Sequence, residues 1–148
     1  MTIKLRDAYF NPWDEILQEQ NTTSALTAKF GATASFVGTM RDFNQNHTVS
    51  SMTLEHYPGM TEKQLQKISD EATSRWPFLH SLIIHRVGTI LPNEPIVLVA
   101  IWSTHRGAAF DACRYIMEAL KNRAPFWKKE SINGGSESRW VKHNTDGY

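Results

Sequence analysis

Two apolar, β-branched runs in the second half of the chain constrain the fold more than any other feature. They cover residues 79–87 and 95–102, and a turn signal at Pro92-Asn93 lies between them. Runs of this length and composition are typical of buried strands, and strands that follow one another closely usually pair. The sequence therefore predicts two adjacent strands inside a sheet.

Two amphipathic helices are predicted from apolar residues at helical spacing, over residues 61–76 and 106–123. The second helix is expected to end at Ala124-Pro125, because the residue before a proline disfavours helical geometry. The predicted apolar stripes consist of Leu65, Ile68, Ala72 and Trp76 in the first helix, and of Phe110, Cys113, Met117 and Leu120 in the second.

Local signals place the remaining elements. Asn11-Pro12 reads as an N-cap followed by proline at the first helical position, opening a short helix to about Gln20. Strands are predicted at 31–38, 51–57, 126–132 and 138–141, with a hairpin turn at 133–136 and a loop or hairpin tip at 41–47. The element order favours a single α+β domain over residues 1–148, with helices packed on a largely antiparallel or mixed sheet.

Charge and composition exclude several function classes. The formal net charge is +1, so no global field attracts nucleic acid or membrane, and any anion site must be local. The single cysteine permits no intramolecular disulfide. No signal-peptide core is visible, and the longest apolar run, 96–102, is far shorter than the ~18 residues of a membrane span. We expect a cytoplasmic protein with no nucleic-acid or membrane partner.

Metal and nucleotide motifs are also missing from the sequence. The six histidines show neither HxxxH nor HExxH spacing, and no glycine-rich phosphate loop is present. Cys113 falls on the apolar side of its predicted helix and reads as a core residue. The sequence predicts neither a metal site nor a bound cofactor.

The segment 121–128, KNRAPFWK, is the main candidate for chemistry. Lys121 and Lys128 flank a helix end, a proline and two aromatic residues. Taken alone, Lys121 suits a helix C-terminus and Lys128 a solvated sheet edge. If the buried aromatics anchor both lysines at one cavity, the like charges would lower the pKa of one amine. A lysine of that kind suits a general base or an acyl acceptor.

Three further cations are candidate ligands for an anion. His105 and Arg106 open a predicted helix, where cations oppose the helix dipole and an anionic ligand would relieve the conflict. A phosphate site and a solvated first turn remain equal interpretations of that pattern. Arg41 follows a strand and a glycine, and an arginine there can bind phosphate bidentately, although most such arginines are ordinary surface residues.

Several segments together resemble one family, the large catalytic subunit of molybdopterin synthase (the MoaE family). They occur in the family's order and cover roughly residues 31–141. The matching segments are FVGTMRDFN at 36–44, LEHYPGMTEK at 54–63, HRVG at 85–88, STHRGAAFDACRYIMEALKNRAPFWKKE at 103–130 and RWV at 139–141.

This resemblance implies an α/β hammerhead-type fold and a homodimer of large subunits. It also implies a small ubiquitin-like sulfur-carrier subunit at each end, which makes a heterotetramer. The carrier's Gly-Gly C-terminus, activated as a thiocarboxylate, would enter a pocket of the large subunit. Two sulfur transfers would then convert cyclic pyranopterin monophosphate (precursor Z) into molybdopterin, with no metal required for this step.

The resemblance also implies roles for individual residues. Lys121 and Lys128 look like the catalytic lysines, with Lys121 beside the acyl group and Lys128 beside the pterin. The substrate-anion ligands, partly supplied across the dimer interface, would be Arg41, His105 and Arg106, with Arg123 and Arg139 as weaker candidates. From the residues alone, two other functions stay open: a non-catalytic phosphate- or nucleotide-binding module, and an enzyme that forms a Schiff base on a lysine.

Overall fold

A computed structural model describes residues 1–44, 46–135 and 137–142. It contains helices and strands mixed along the chain, which confirms the predicted fold class. In chain order the elements are β1 (Thr2–Arg6), α1 (Pro12–Thr22), β2 (Ala32–Thr39), β3 (Phe43–Asn44), β4 (His47–His56), α2 (Met60–Arg75), β5 (Phe78–Arg86), β6 (Gly88–Ile90), β7 (Pro95–Ser103), α3 (Arg106–Arg123), β8 (Phe126–Ile132) and β9 (Glu137–Val141).

The first sheet has the strand order β1-β5-β7-β2, and the two apolar runs predicted as strands are its central pair. β5 and β7 pair antiparallel, with Ile83 opposite Val99. Alternate residues of both strands pack against α2 and α3 on one face and against the α1 region on the other. Burial on both faces explains why these runs are continuously apolar instead of alternating.

The second sheet has the strand order β3-β4-β8-β9, and β6 pairs with β4. It surrounds a smaller core of Met40, Val49, Met52, Leu54, Ile90 and Ile132. Antiparallel pairing of β4 with β8 sets Leu54 opposite Lys128. This sheet therefore fixes β8, the strand that follows α3, beside the first sheet.

Local sequence signals define the helix ends well. The Asn11 side chain accepts hydrogen bonds from the backbone N–H groups of Trp13, at 3.0 Å, and Asp14, at 3.4 Å, and Pro12 is the first helical residue. α3 begins and ends at the predicted residues. None of the three helices in the described part of the chain is long and apolar enough to cross a membrane.

Several features differ from the sequence predictions. The short strands β3 and β6 were not predicted, and β4 begins at His47 instead of residue 51. β1 was not predicted, because it is a short, half-buried edge strand in which Lys4 and Arg6 alternate with apolar residues. The assignment of Phe110 to the buried stripe of α3 is wrong, since its side chain is 65% exposed. The buried face of α3 runs through Ala109, Ala112, Cys113, Ile116 and Leu120. Phe110 follows Ala109 by one residue, which rotates its side chain by about 100° around the helix axis and away from that face.

Gly31 is a close-packed glycine just before β2, and its replacement gives a test of the fold. A Cβ built there would lie 2.6 Å from the carbonyl oxygen of Thr104. Since a backbone oxygen cannot move aside cheaply, Gly31→Ala is expected to lower the free energy of unfolding by about 1–3 kcal/mol, measured by urea denaturation. Gly107→Ala is the matched control, because its Cβ meets nothing within 4 Å and alanine favours the helix. An unfolding midpoint of Gly31→Ala at or above that of the unaltered protein would contradict this packing.

Candidate active site

A cavity of about 750 Å³ lies between the two sheets, at the C-terminal end of α3. β2 contributes Phe36 to Thr39, and residues of β3, β4, β5, β7, α3, β8 and β9 complete the walls. The polar and charged side chains that line it are Arg41, Asn44, His85, Lys121, Lys128 and Glu130. The two lysines singled out from the sequence therefore share one cavity with Arg41.

The turn after α3 brings the two lysines together. Lys121 lies in the last turn of α3, and Ala124 ends the helix in extended geometry before Pro125. β8 starts directly afterwards, and alternation along a strand sends every second side chain to the same face. Phe126, Lys128 and Glu130 consequently line the cavity.

The opposite face of β8 carries ordinary surface contacts. Trp127 meets Tyr57 edge to face, with ring centroids 4.8 Å apart, and the Lys129 ammonium lies 5.5 Å from the centroid of the Trp140 ring. Lys128 and Lys129 are adjacent in sequence but face different surroundings. Lys129 therefore serves as a natural internal control for Lys128.

Lys128 has an unusual amine. Burial lowers its pKa to about 8, and the neighbouring Lys121 adds to the shift through its charge and through a hydrogen bond between the two side chains. The carboxylate of Glu130 acts in the opposite direction. The expectation that one lysine has a lowered pKa is confirmed for Lys128, with loss of hydration contributing more than like charge.

Glu130 is a buried carboxylate that the sequence reasoning missed. Glu130 is only 5% exposed, and its carboxylate accepts a hydrogen bond of 2.6 Å from Asn44 Nδ2. Arg139, its neighbour across β8 and β9, donates to it from Nε and Nη2 at 3.3 Å each. Arg139 therefore acts on the cavity through Glu130. The every-second-residue spacing of Phe126, Lys128 and Glu130 is the sequence signal that would have identified the carboxylate.

His85 is the second residue that was missed, and the sequence marked it only as part of the HRVG segment. It is 4% exposed, its Nδ1 donates to the backbone carbonyl of Arg86 at 2.8 Å, and its ring stacks on Phe126 with centroids 3.9 Å apart. Burial lowers its pKa to about 3, and the charges of Lys128 and Lys121 lower it further. The imidazole is therefore neutral at physiological pH.

The remaining predicted ligands do not line the cavity of the same chain. His105 and Arg106 are exposed at the first turn of α3, which lies more than about 20 Å from Lys121 at the other end of this 18-residue helix. Arg123 pairs with Glu71 of α2 through two hydrogen bonds, of 2.6 and 3.0 Å. One chain thus unites Lys121, Lys128 and Arg41 but not His105, Arg106 or Arg123.

Neither a metal centre nor a cysteine nucleophile emerges from the described residues. In residues 1–44, 46–135 and 137–142, no three or more His, Cys, Asp or Glu side chains are grouped so that they could hold a metal ion. Burial raises the pKa of the Cys113 thiol to about 11, so the thiol stays protonated in the core. The groups that line the cavity include the two lysine amines and the Arg41 guanidinium.

Comparisons with known proteins agree with the geometry. The family model described as MoaE protein matches residues 13–123. The molybdopterin synthase catalytic subunit of Pseudomonas aeruginosa is 51% identical over 142 residues, which cover 96% of this chain and 91% of that protein.

Two solved structures are similar over nearly the whole chain. The molybdopterin biosynthesis MoaE protein from Burkholderia ambifaria is 46% identical with a TM-score of 0.79, over 99% of this chain and 92% of that one. Molybdopterin synthase from Staphylococcus aureus is 29% identical with a TM-score of 0.81, over 94% of this chain and 96% of that one. With a family model matching well over half of its length, and with the lysine cavity in place, this chain belongs to the MoaE family.

Proposed function

We propose that this chain is the catalytic subunit of a molybdopterin synthase, a sulfurtransferase of molybdenum cofactor biosynthesis. The observation that carries the proposal is the pair Lys121 and Lys128 in one cavity, with the pKa of Lys128 lowered to about 8. The close relatives are named for this enzyme. The proposed substrate is cyclic pyranopterin monophosphate, and the proposed sulfur donor is the thiocarboxylated Gly-Gly C-terminus of a small ubiquitin-like carrier subunit.

The cavity suits these reactants in size and charge. A volume of about 750 Å³ is within the usual range for small-molecule sites. A phosphate and a thiocarboxylate are both anions, and Arg41, Lys121 and Lys128 place local positive charge where they would bind. We assign the phosphate to Arg41, because a guanidinium binds phosphate bidentately.

The two lysines have different parts in this proposal. An amine whose pKa lies near the working pH exchanges protons efficiently, and Lys128 has that property. Lys121 then polarises the acyl group of the carrier. In this assignment Lys128, which would also lie beside the pterin, carries the proton transfer, and Lys121 keeps the place beside the acyl group that the resemblance implies.

A second copy of the chain would complete the site. The first turn of α3 contains no acidic residue, so this turn supplies no carboxylate to balance His105 and Arg106 at the positive end of the helix dipole, and an anion is favoured there. We propose that these two residues reach the cavity of the partner in a homodimer, and that one carrier subunit at each end makes the heterotetramer.

Replacement of either lysine tests the proposed function. Lys121→Ala and Lys128→Ala are each expected to lower the rate of molybdopterin formation from precursor Z and thiocarboxylated carrier by about 10²–10⁴-fold, the usual contribution of a proton-transfer or charge-stabilising group. Lys129→Ala, on the other face of β8, is the matched control and should keep near-normal turnover. Near-normal turnover in both cavity variants would exclude the assignment. Salt-sensitive phosphate binding without any sulfur transfer would favour a non-catalytic module.

The pH dependence tests the part assigned to Lys128. Because its pKa in the folded protein is about 8, the neutral amine becomes the main form above that pH, and turnover is expected to rise between pH 7 and 9. Glu130→Gln removes the carboxylate that raises this pKa, so the rise should move to lower pH. A profile that is flat over this range, or a Glu130→Gln profile displaced to higher pH, would contradict the assignment.

Complementation between copies tests the shared site. In a dimer of Lys121→Ala with Arg106→Ala, one cavity carries both substitutions and the other carries neither. Random mixing of the two inactive variants is therefore expected to restore about a quarter of the normal activity. Mixing Lys121→Ala with Lys128→Ala should restore none, because both residues belong to the same chain's cavity. Equal activity in the two mixtures would show that the ends of α3 do not meet across a dimer.

A further inference from the structure

His85 has no part in the chemistry proposed above, although it lines the cavity that holds both lysines. A neutral imidazole in a β-strand is usually a core residue whose polar atoms are satisfied locally. This ring differs because it lies against a cationic cavity. Its position calls for a physical explanation.

The ring is fixed in orientation and tautomer. Nδ1 donates its proton to the carbonyl oxygen of Arg86 at 2.8 Å, so Nε2 carries the lone pair. Arg86 is itself 3% exposed, and its Nη2 donates to the carbonyl of Thr89 at 2.8 Å, which holds that part of the chain in place. Stacking on Phe126, at 3.9 Å and 12°, fixes the plane of the ring.

The same contacts bring the ring next to the lysine pair. Phe126 and Lys128 are two residues apart on the cavity face of β8, so a ring stacked on Phe126 lies beside the path of the Lys128 side chain. Lys121 reaches the cavity from α3. Both ammonium charges act on His85. The other charged groups that line the cavity are Glu130 on β8 and Arg41 after β2.

We propose that His85 is a positioning residue for the lysine pair. Its Nε2 accepts a hydrogen bond from the ammonium group of Lys128 and so fixes where the proton is held. A carboxylate in this place would form an ion pair and keep the lysines charged, and an imidazolium would repel them. A neutral acceptor orients the ammonium without adding a charge. The inference rests on the proposed function only for its consequence in turnover, since the proposed hydrogen bond would form in the unliganded protein.

Two substitutions test the two ring nitrogens of His85 separately. The amide nitrogen of His85→Asn lies near the place of Nδ1 and keeps a donor for Arg86, but nothing replaces Nε2. The longer side chain of His85→Gln brings an acceptor oxygen near the place of Nε2. Because a hydrogen bond stabilises the charged amine, its loss in His85→Asn is expected to lower the Lys128 titration midpoint by about one pH unit, and His85→Gln should restore it.

The midpoint is measured by NMR titration of ¹³C-labelled lysine side chains in the unliganded protein, with Lys128→Ala to assign the signal. The ascending limb of the turnover profile should shift in parallel. A purely structural histidine would change stability in both variants and leave the midpoint in place. An unchanged midpoint in His85→Asn, or equal midpoints in His85→Asn and His85→Gln, would overturn the proposal.

A measurement on the unsubstituted histidine covers the case in which these variants do not fold. The ¹⁵N shift of Nε2 should report an unprotonated acceptor between pH 6 and 9 and should change in Lys121→Ala or Lys128→Ala. A proton on Nε2, or a shift that neither lysine variant alters, would reject the proposal. If the protein transfers no sulfur at all, the proposed function fails. The two NMR measurements still show whether His85 Nε2 accepts a hydrogen bond from the lysine pair.

Discussion

The site depends on the turn at Ala124-Pro125, which converts a helix end into a strand within two residues. Pro125 cannot continue α3, and its carbonyl accepts a hydrogen bond of 3.3 Å from the buried hydroxyl of Thr61 at the start of α2. The same hydroxyl accepts the backbone N–H of Tyr57, at 3.2 Å. The segment 54–61, LEHYPGMT, therefore holds the turn in position through these hydrogen bonds. Its contribution to the candidate active site is to set the spacing of the two lysines.

Once the turn is fixed, burial and like charge determine the chemistry. A lysine in contact with bulk water keeps its ordinary pKa, but Lys128 stands in a cavity where hydration is incomplete and a second ammonium lies nearby. Such a cavity would be unstable with cations alone. The buried carboxylate of Glu130, held by Asn44 and Arg139, compensates part of the charge. Local balance of this kind also explains how a protein of net charge +1 can present a cationic site.

Local signals predicted most elements of the fold but not all of their neighbours. The bounds of α3, the Asn11 cap and the pairing of β5 with β7 follow from periodicity and from residues close in sequence. β1 escaped prediction because its position is set by parallel pairing with β5, some 80 residues away. His85 escaped because a histidine inside an apolar run looks like a core residue until the strand is placed against the cavity. In these cases the missing information is long-range packing.

The separation of the two cation groups was, by contrast, contained in the sequence. His105 and Lys121 belong to one predicted helix, and a rise of 1.5 Å per residue already places them about 24 Å apart. They therefore cannot form two walls of one pocket in a single chain. In the proposed dimer, each α3 would present cations at both of its ends to two different cavities. The lysine end carries its positive charge where the helix dipole favours it, whereas the His105 and Arg106 end carries it where the dipole opposes it. An anion bound at that second end removes the conflict, so substrate binding and dimer assembly would stabilise each other through the same helix terminus.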